Sequence, residues 1–419
     1  MPDPLIYLDH NATTPLGPEA LSAMNQAVVG GLANPASGHA AGRKARRLVE
    51  DARERIGEIL GLDTSRGEGD RLIFTSGGTE ANNWALSAMG NGEWGMGNAS
   101  VVGGDSSEPA APHALVSAIE HPSVLGPAAR LVEQGLFGGQ RWDVERIAVD
   151  REGRVVVADF LAILRLSTRL VSVMLGNNET GVVEPVAEIA AECRRRGIFV
   201  HTDAVQAVGK IGVDFRALGV DAMTVAAHKF HGPTGIGGLA LRHGVEVRPL
   251  LVGGFQQSGL RPGTESPLLV AGMLAALEAW HREASARTHH LATLRDELQR
   301  RLVAACGPTV VHGAAVERLP QTLNIAFVGL DRQALFVALD AAGVACSTGS
   351  ACASGSSEPS PTLVAMGCPE AEISGSLRFS VGATTTAAEV AEGATRISRV
   401  VNELRDRFQA RKIAAPGRF

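Results

Sequence analysis

The chain has 419 residues, of which 45% are hydrophobic and 20% charged, with 39 basic against 44 acidic side chains and a net charge of −5. This composition can bury a large core and is not that of a disordered chain. The mild acidity excludes a cationic coat for nucleic acid or an anionic membrane, and 4% aromatics with a single tyrosine leave no platform for stacking bases.

The opening MPDPLIYLDHNATTP has neither a basic segment followed by an apolar one nor the arginines of a transit peptide. No run approaches the ~18 apolar residues of a membrane span. From Gly38 to Leu60, apolar positions recur at helical spacing with Arg43, Lys44, Arg46 and Arg47 between them, a pattern that predicts a helix with a solvated basic face. An alternation of strands and helices follows. Strands are expected at 72–75, 114–119, 170–175, 198–202, 222–226 and 237–241, and helices at 77–89 and 185–196, which implies crossover connections and a largely parallel sheet. The Gly-, Ser- and Pro-rich stretch 90–113 reads as an insertion without fixed structure. Ser266 and Pro267 cap one long helical stretch ending near Ala305, with Leu291, Leu294, Leu298 and Leu302 as its later stripe. Beyond it the pattern changes to an α+β unit of strands at 309–312 and 322–328, a helix at 331–342 stopped by Gly343, and a last helix 387–408 opened by a Thr386–Glu389 capping box.

Several strand ends carry reactive side chains. Lys229 closes the apolar run 222–227, where ligands bind in α/β sheets, and a partly desolvated amine there can join a carbonyl as a Schiff base. The plain alternative is a lysine snorkelling to the surface. Asp203 in HTDAVQ is by itself an ordinary turn acid. Paired with such a lysine it can keep a pyridine nitrogen protonated, while Gln206 can bond a phenolic oxygen. Gly78 and Thr79 begin a helix whose free amides suit a phosphate. His121, at another strand end, is either a structural histidine or a ring that stacks on a cofactor and moves protons, and Asn178 can offer its amide to an oxygen. The five cysteines, odd in number and without a Cys-x-x-Cys pair, indicate neither a disulfide framework nor a zinc knuckle. No metal site is therefore expected, and the compartment is read as reducing and cytoplasmic. Cys352, flanked by Gly, Ser and Ala, suits an exposed travelling nucleophile. The fork of Arg378 suits a substrate carboxylate.

The series YLDHNATTP, NPAS, FTSGGTEANN, EHPSV, NNETG, HTDAVQAVGK, AHKFHGPTGIGG, RPGTES, SGSACASGSSEPS and SLRFSVG resembles, in order and over nearly the whole chain, the motifs of the pyridoxal-phosphate cysteine desulfurases, close to the selenocysteine lyases. The resemblance implies an α/β protein of fold type I, with a large domain (16–265) built on a seven-stranded, mainly parallel sheet and a smaller α+β domain (1–15 and 266–419), arranged as a homodimer. It implies pyridoxal 5'-phosphate on Lys229, His121 over the ring, Asp203 at its nitrogen and Gln206 at its phenolic oxygen. Gly78, Thr79 and His228 would hold the phosphate, with Thr264 reaching it from the other subunit. Asn34, Asn178 and Arg378 would bind the carboxylate of L-cysteine, and Cys352 would take the sulfur as a persulfide for an iron–sulfur scaffold or another acceptor protein. Selenocysteine lyase, and an aminotransferase or other lyase of the same fold, are the alternative activities. Three features depart from the pattern: the family's usual hydroxyl residue three places before the lysine is Ala226, the 254–259 stretch is less polar and less acidic than the usual Gly-rich version, and the 90–113 insertion is longer.

Overall fold

A computed structural model describes residues 4–65, 69–89, 111–134, 140–349 and 358–414; Cys352 and all but the last three residues of the 90–113 stretch lie outside them. The chain begins with the short strand β1 (Ile6–Tyr7), and helix α1 (Pro18–Val29) opens on a proline, whose missing amide is harmless in a first turn. Helix α2 (Ala40–Ile59) follows the spacing read above: Ala45, Val49, Ala52 and Ile56 are buried, and the four basic residues are exposed.

Strands and helices then alternate: β2 (Arg71–Thr75), α3 (Gly78–Met89), β3 (His113–Ser117), α4 (Pro122–Gln134), β4 (Asp143–Ile147), α5 (Val157–Ala162), β5 (Thr168–Ser172), α6 (Val186–Arg195), β6 (Phe199–Asp203), α7 (Phe215–Leu218), β7 (Ala222–Ala226) and β8 (Gly237–Leu241). They build one seven-stranded sheet in the order β2-β8-β7-β6-β5-β3-β4. Strand β8 runs antiparallel to both neighbours, and every other adjacent pair is parallel. Strands β3, β6, β7 and β8 are buried along their whole length, as a sheet covered on both faces requires. The α/β class and the mainly parallel sheet are as expected. The apolar run after β5 outlasts the strand: Val173 and Leu175 still donate to the carbonyls of His201 and Asp203, which carries the chain to Asn178 alongside the end of β6.

The single helix expected over 266–305 is instead two, α8 (Pro267–Arg282) and α9 (Ala284–Ala305), broken at Glu283 with φ −118° and ψ 18°. The break lets each half serve a different core. Helix α8 packs on α1 and α2 and buries Val270, Met273, Leu277 and Trp280 in the large core. Helix α9 buries Leu291, Leu294, Leu298 and Leu302 in a second core with Ile325, Phe327, Phe379 and Ile397. This packing leads us to place the division of the chain at the α8–α9 junction rather than at residue 265.

The second unit contains β9 (Thr309–Val311), β10 (Thr322–Phe327), α10 (Arg332–Ala341), β11 (Val344–Ala345), α11 (Pro361–Ala365), α12 (Glu370–Ile373), β12 (Ser376–Ser380) and α13 (Ala387–Ala414). Its sheet is antiparallel in the order β12-β10-β9. The capping box that opens α13 is formed: Glu389 N donates to Thr386 Oγ1, and Thr386 N to Glu389 Oε2 at 2.7 Å. Strand β1 pairs in parallel with β11, so residues 8–15 run from the small unit back to the large one. There Thr14 N donates to the carbonyl of His228 at 2.9 Å. Among the described residues, no helix is long and apolar enough to cross a membrane.

Candidate active site

The C-terminal ends of β2, β3, β5, β6 and β7 open on one cavity of about 210 Å3, the edge at which a parallel sheet places its ligands. Gly78, Thr79, His121, Asn178, Asp203, Gln206, His228, Lys229 and Arg378 all line it, as does Ala226.

Lys229 ends a 3-10 turn (Ala227–Lys229) that continues β7. Its Nζ donates to the carbonyls of Asn11 and Ala12, the latter at 2.8 Å. The turn after β6 presses against it from behind. Gly209 takes φ +76°, and a Cβ there would lie 2.2 Å from the Cβ of Phe230, so only glycine fits. The next residue, Lys210, is buried and donates through Nζ to the carbonyl of Lys229. Burial first, and then the charge of Lys229, lower the pKa of Lys210 to about 7. His228 is lowered to about 4, again by burial and then by Lys229. This end of the cavity therefore holds its imidazole neutral at physiological pH.

Asp203, at the end of β6, is 5% exposed. Its Oδ2 accepts from Asn82 Nδ2 at 2.7 Å and its Oδ1 from Val205 N at 2.9 Å. Asn82 also donates to Ser123 Oγ at 2.9 Å, and that hydroxyl lies 2.7 Å from His121 Nδ1. A chain of polar contacts thus joins Asp203 to His121. Burial lowers the His121 pKa despite the opposing charge of Asp203. Glu120 is pushed well up, by burial and then by Asp203, which favours its neutral form. Asn82, Ser123 and Asn11 were not singled out from the sequence. Only the position of Asn82, one turn beyond Thr79 on α3, offered a signal.

Arg378 on β12 is 1% exposed and reaches the cavity from the small unit. Its Nη2 donates to Asp9 Oδ1 at 2.7 Å and its Nη1 to the Asn178 carbonyl at 3.0 Å, while its buried Nε has no partner. Next to Asn178, Glu179 accepts from Ser360 Oγ at 2.6 Å and Thr362 Oγ1 at 3.2 Å. A Cβ on Gly349 would lie 3.0 Å from Glu179 Oε2. One buried carboxyl thus adjoins the described chain on both sides of residues 350–357.

Two expected site residues, Asn34 and Thr264, are not brought to this cavity. Asn34 is exposed, accepts from Ala36 N at 2.9 Å and lines a separate groove of about 990 Å3 with Arg53, Gln257 and Glu265. Thr264 is also exposed. Cys352 lies outside the described residues.

The buried Lys210 gives a test of these electrostatics. A lysine whose pKa falls from 10.5 to about 7 on folding binds its proton more tightly when unfolded, so it costs stability below that window and the cost fades as pH rises through it. Relative to a Lys210→Met variant, the wild-type protein is expected to gain stability between pH 7 and about 10, read as urea midpoints at each pH. Parallel curves for the two proteins would refute a buried, neutralised lysine. Glu184, raised to about 8 by burial, changes stability in the opposite sense but is common to both.

A family model described as aminotransferase class-V matches residues 6–392. A protein named cysteine desulfurase from Trichormus azollae is 38% identical over 408 residues, covering 97% of this chain and 94% of its own length. A cysteine desulfurase IscS from Dictyoglomus turgidum is 37% identical, covering 96% of this chain and 95% of its own length. The solved structure of a NifS-like protein from Rickettsia africae is 28% identical with a TM-score of 0.81, covering 95% of this chain and 99% of that one.

Proposed function

The chain belongs to the aminotransferase class-V family, and from that membership and its likeness to cysteine desulfurases we propose how it acts: it is a cysteine desulfurase that converts L-cysteine to L-alanine and delivers the sulfur to Cys352. The observation that carries this reading is the convergence of Lys229, Asp203, His121 and Arg378 on one cavity.

The residues present fit pyridoxal 5'-phosphate. The start of α3 at Gly78 and Thr79, with His228 beside it, offers donors for a phosphate. A Cβ on Gly78 would lie 3.0 Å from Val205 Cγ2 and narrow that cradle. Asp203 supplies the carboxylate for a ring nitrogen, Gln206 an amide for a ring oxygen and Lys229 the amine for the aldehyde. When bound, the group supplies an electron sink for the charge left at the substrate Cα.

Lys229, released from the carbonyls of Asn11 and Ala12, takes the Cα proton and returns a proton to the carbon skeleton. Asp203 would meet the ring nitrogen with a carboxyl group whose two oxygens are oriented by Asn82 and the Val205 amide. We assign the handling of the substrate's thiol proton to His121, which burial keeps neutral. The substrate carboxylate is held by Arg378, whose Nε is unpartnered, together with Asn178. The Cys352 thiolate attacks the substrate Sγ. The new S–S bond forms as Cβ–Sγ breaks, the electron pair stays with the carbon fragment, and protonation there completes L-alanine. The persulfide on Cys352 then passes to an iron–sulfur scaffold or another acceptor protein.

The working unit in this reading is a cytoplasmic homodimer. Asn34 and Thr264 are exposed away from their own cavity and are free to serve the other subunit's, Thr264 at the phosphate and Asn34 near the substrate carboxylate.

The test is incubation with L-cysteine and no added keto acid. Alanine is expected to form, and after alkylation the peptide carrying Cys352 is expected to gain the mass of one sulfur atom. Alanine without that adduct would remove Cys352 from the mechanism, and no alanine would overturn the activity.

A further inference from the structure

We propose that His312, Cys368 and Glu372 form a binding site for a borderline-soft divalent cation, with Zn2+ as the ion that this donor set fits. None of the three lines the cofactor cavity. His312 follows β9, Cys368 lies in the turn between α11 and α12, and Glu372 is on α12. One donor atom from each residue lies within 4.8 Å of the other two, and His312 Nε2 is 3.5 Å from Glu372 Oε2. Tetrahedral zinc, with bonds of about 2.0–2.3 Å, sets its donors about 3.3–3.7 Å apart. Small side-chain rotations therefore close the site around an ion.

The imidazole provides an independent sign. His312 is 4% exposed, and its Nδ1 lies 2.8 Å from Asn324 Oδ1. That oxygen also accepts from Ser376 Oγ at 2.8 Å, while Asn324 Nδ2 donates to the Glu179 carbonyl at 3.3 Å. The amide is thereby oriented, and Nδ1 must carry the ring proton. Nε2 then presents its lone pair toward Cys368 and Glu372, and it is buried without a hydrogen-bond partner. A metal-binding histidine is oriented in this way, with its second nitrogen donating to a fixed oxygen.

The charges also balance. Thiolate, carboxylate and neutral imidazole around Zn2+ give a neutral assembly, which suits a part-buried position. Arg151 Nη2 approaches Glu372 Oε1 at 3.6 Å, leaving Oε2 for the ion. Without an ion, burial and the charge of Glu372 raise the pKa of the Cys368 thiol, so binding would release its proton. Three protein ligands leave a fourth position for water. The ion would fasten α11 and α12 to the strand at His312, and the head of α11 is already held to Glu179 through Ser360 and Thr362.

The test uses the full chain with Cys352→Ser, so that this thiol adds no ligand, without L-cysteine, which chelates zinc. This protein is expected to retain one Zn2+ per chain through gel filtration. Adding Cys368→Ser or His312→Gln is expected to weaken uptake by more than about 100-fold, with the far-ultraviolet circular dichroism of the metal-free proteins unchanged. Co2+ in place of zinc should show tetrahedral visible bands and a thiolate charge-transfer band that Cys368→Ser removes. Absence of tight uptake, or equal uptake by the variants, would overturn the site. Should either variant fail to fold, protection decides: zinc must slow alkylation of Cys368 in the Cys352→Ser protein, and an unchanged rate would equally overturn it.

Discussion

Lys229→Ala is expected to lower kcat for alanine formation by more than about 10^4-fold, at the upper limit of what one proton-transferring group contributes, and to abolish the yellow colour of a lysine-bound pyridoxal. Two roles are lost together, the covalent tether and the base at Cα. The fold should survive. Two of the acceptors of its side chain are the main-chain carbonyls of Asn11 and Ala12, which water can take over once the side chain is gone. The variant also removes a like charge from beside Lys210, whose pKa should therefore rise. Stopped-flow absorbance and alanine release read the effect, with circular dichroism as the control for folding. Turnover within tenfold of wild type would end the proposal that this amine does the chemistry.

Asp203→Asn is expected to lower kcat by about 10^2–10^3-fold, the scale of removing one preorganised electrostatic partner, while leaving the tether to Lys229 intact. Asparagine keeps the volume and can still accept from Asn82, so the loss isolates the charge. Two secondary shifts give it a signature. Asp203 raises the pKa of His121, and its removal should lower that pKa further; Asp203 also raises Glu120, which should then ionise more readily. The acid limb of the pH–rate profile should move accordingly. A variant that retains borohydride-reducible pyridoxal but loses most of its turnover is the expected pattern. Unchanged kcat would show that the ring nitrogen needs no carboxylate here.

The sheet and the strand-end residues were legible because both obey local rules. An apolar run of five or six residues followed by His, Asp or Lys marks a buried strand and the polar edge where it surfaces, which is how Lys229, Asp203 and His121 stood out. The break at Glu283 was not legible. Residues 266–305 carry a continuous helical pattern, and only the presence of two separate cores demands the bend. Asn82, Ser123 and Asn11 escaped notice for a related reason. An amide or hydroxyl acquires its role from a partner far along the chain, such as Asn82 from Asp203 or Asn11 from Lys229, and no spacing rule reports that. His312 and Cys368 are a further case, since strand and turn bring them together from segments with no shared pattern.

The early segment around Asn11 has a consequence for biosynthesis. The segment whose carbonyls receive Lys229 follows β1, which pairs with β11, and Asn11 itself also leans on Thr322 and Ser380. A ribosome emits these partners more than three hundred residues after the segment they hold. The seven-stranded sheet can assemble on the nascent chain well before then, but the mouth of the pocket still lacks the contacts of Asn11 to Thr322 and Ser380. Cofactor capture should therefore be a late event, coinciding with release of the finished polypeptide rather than with folding of the domain that contains the lysine.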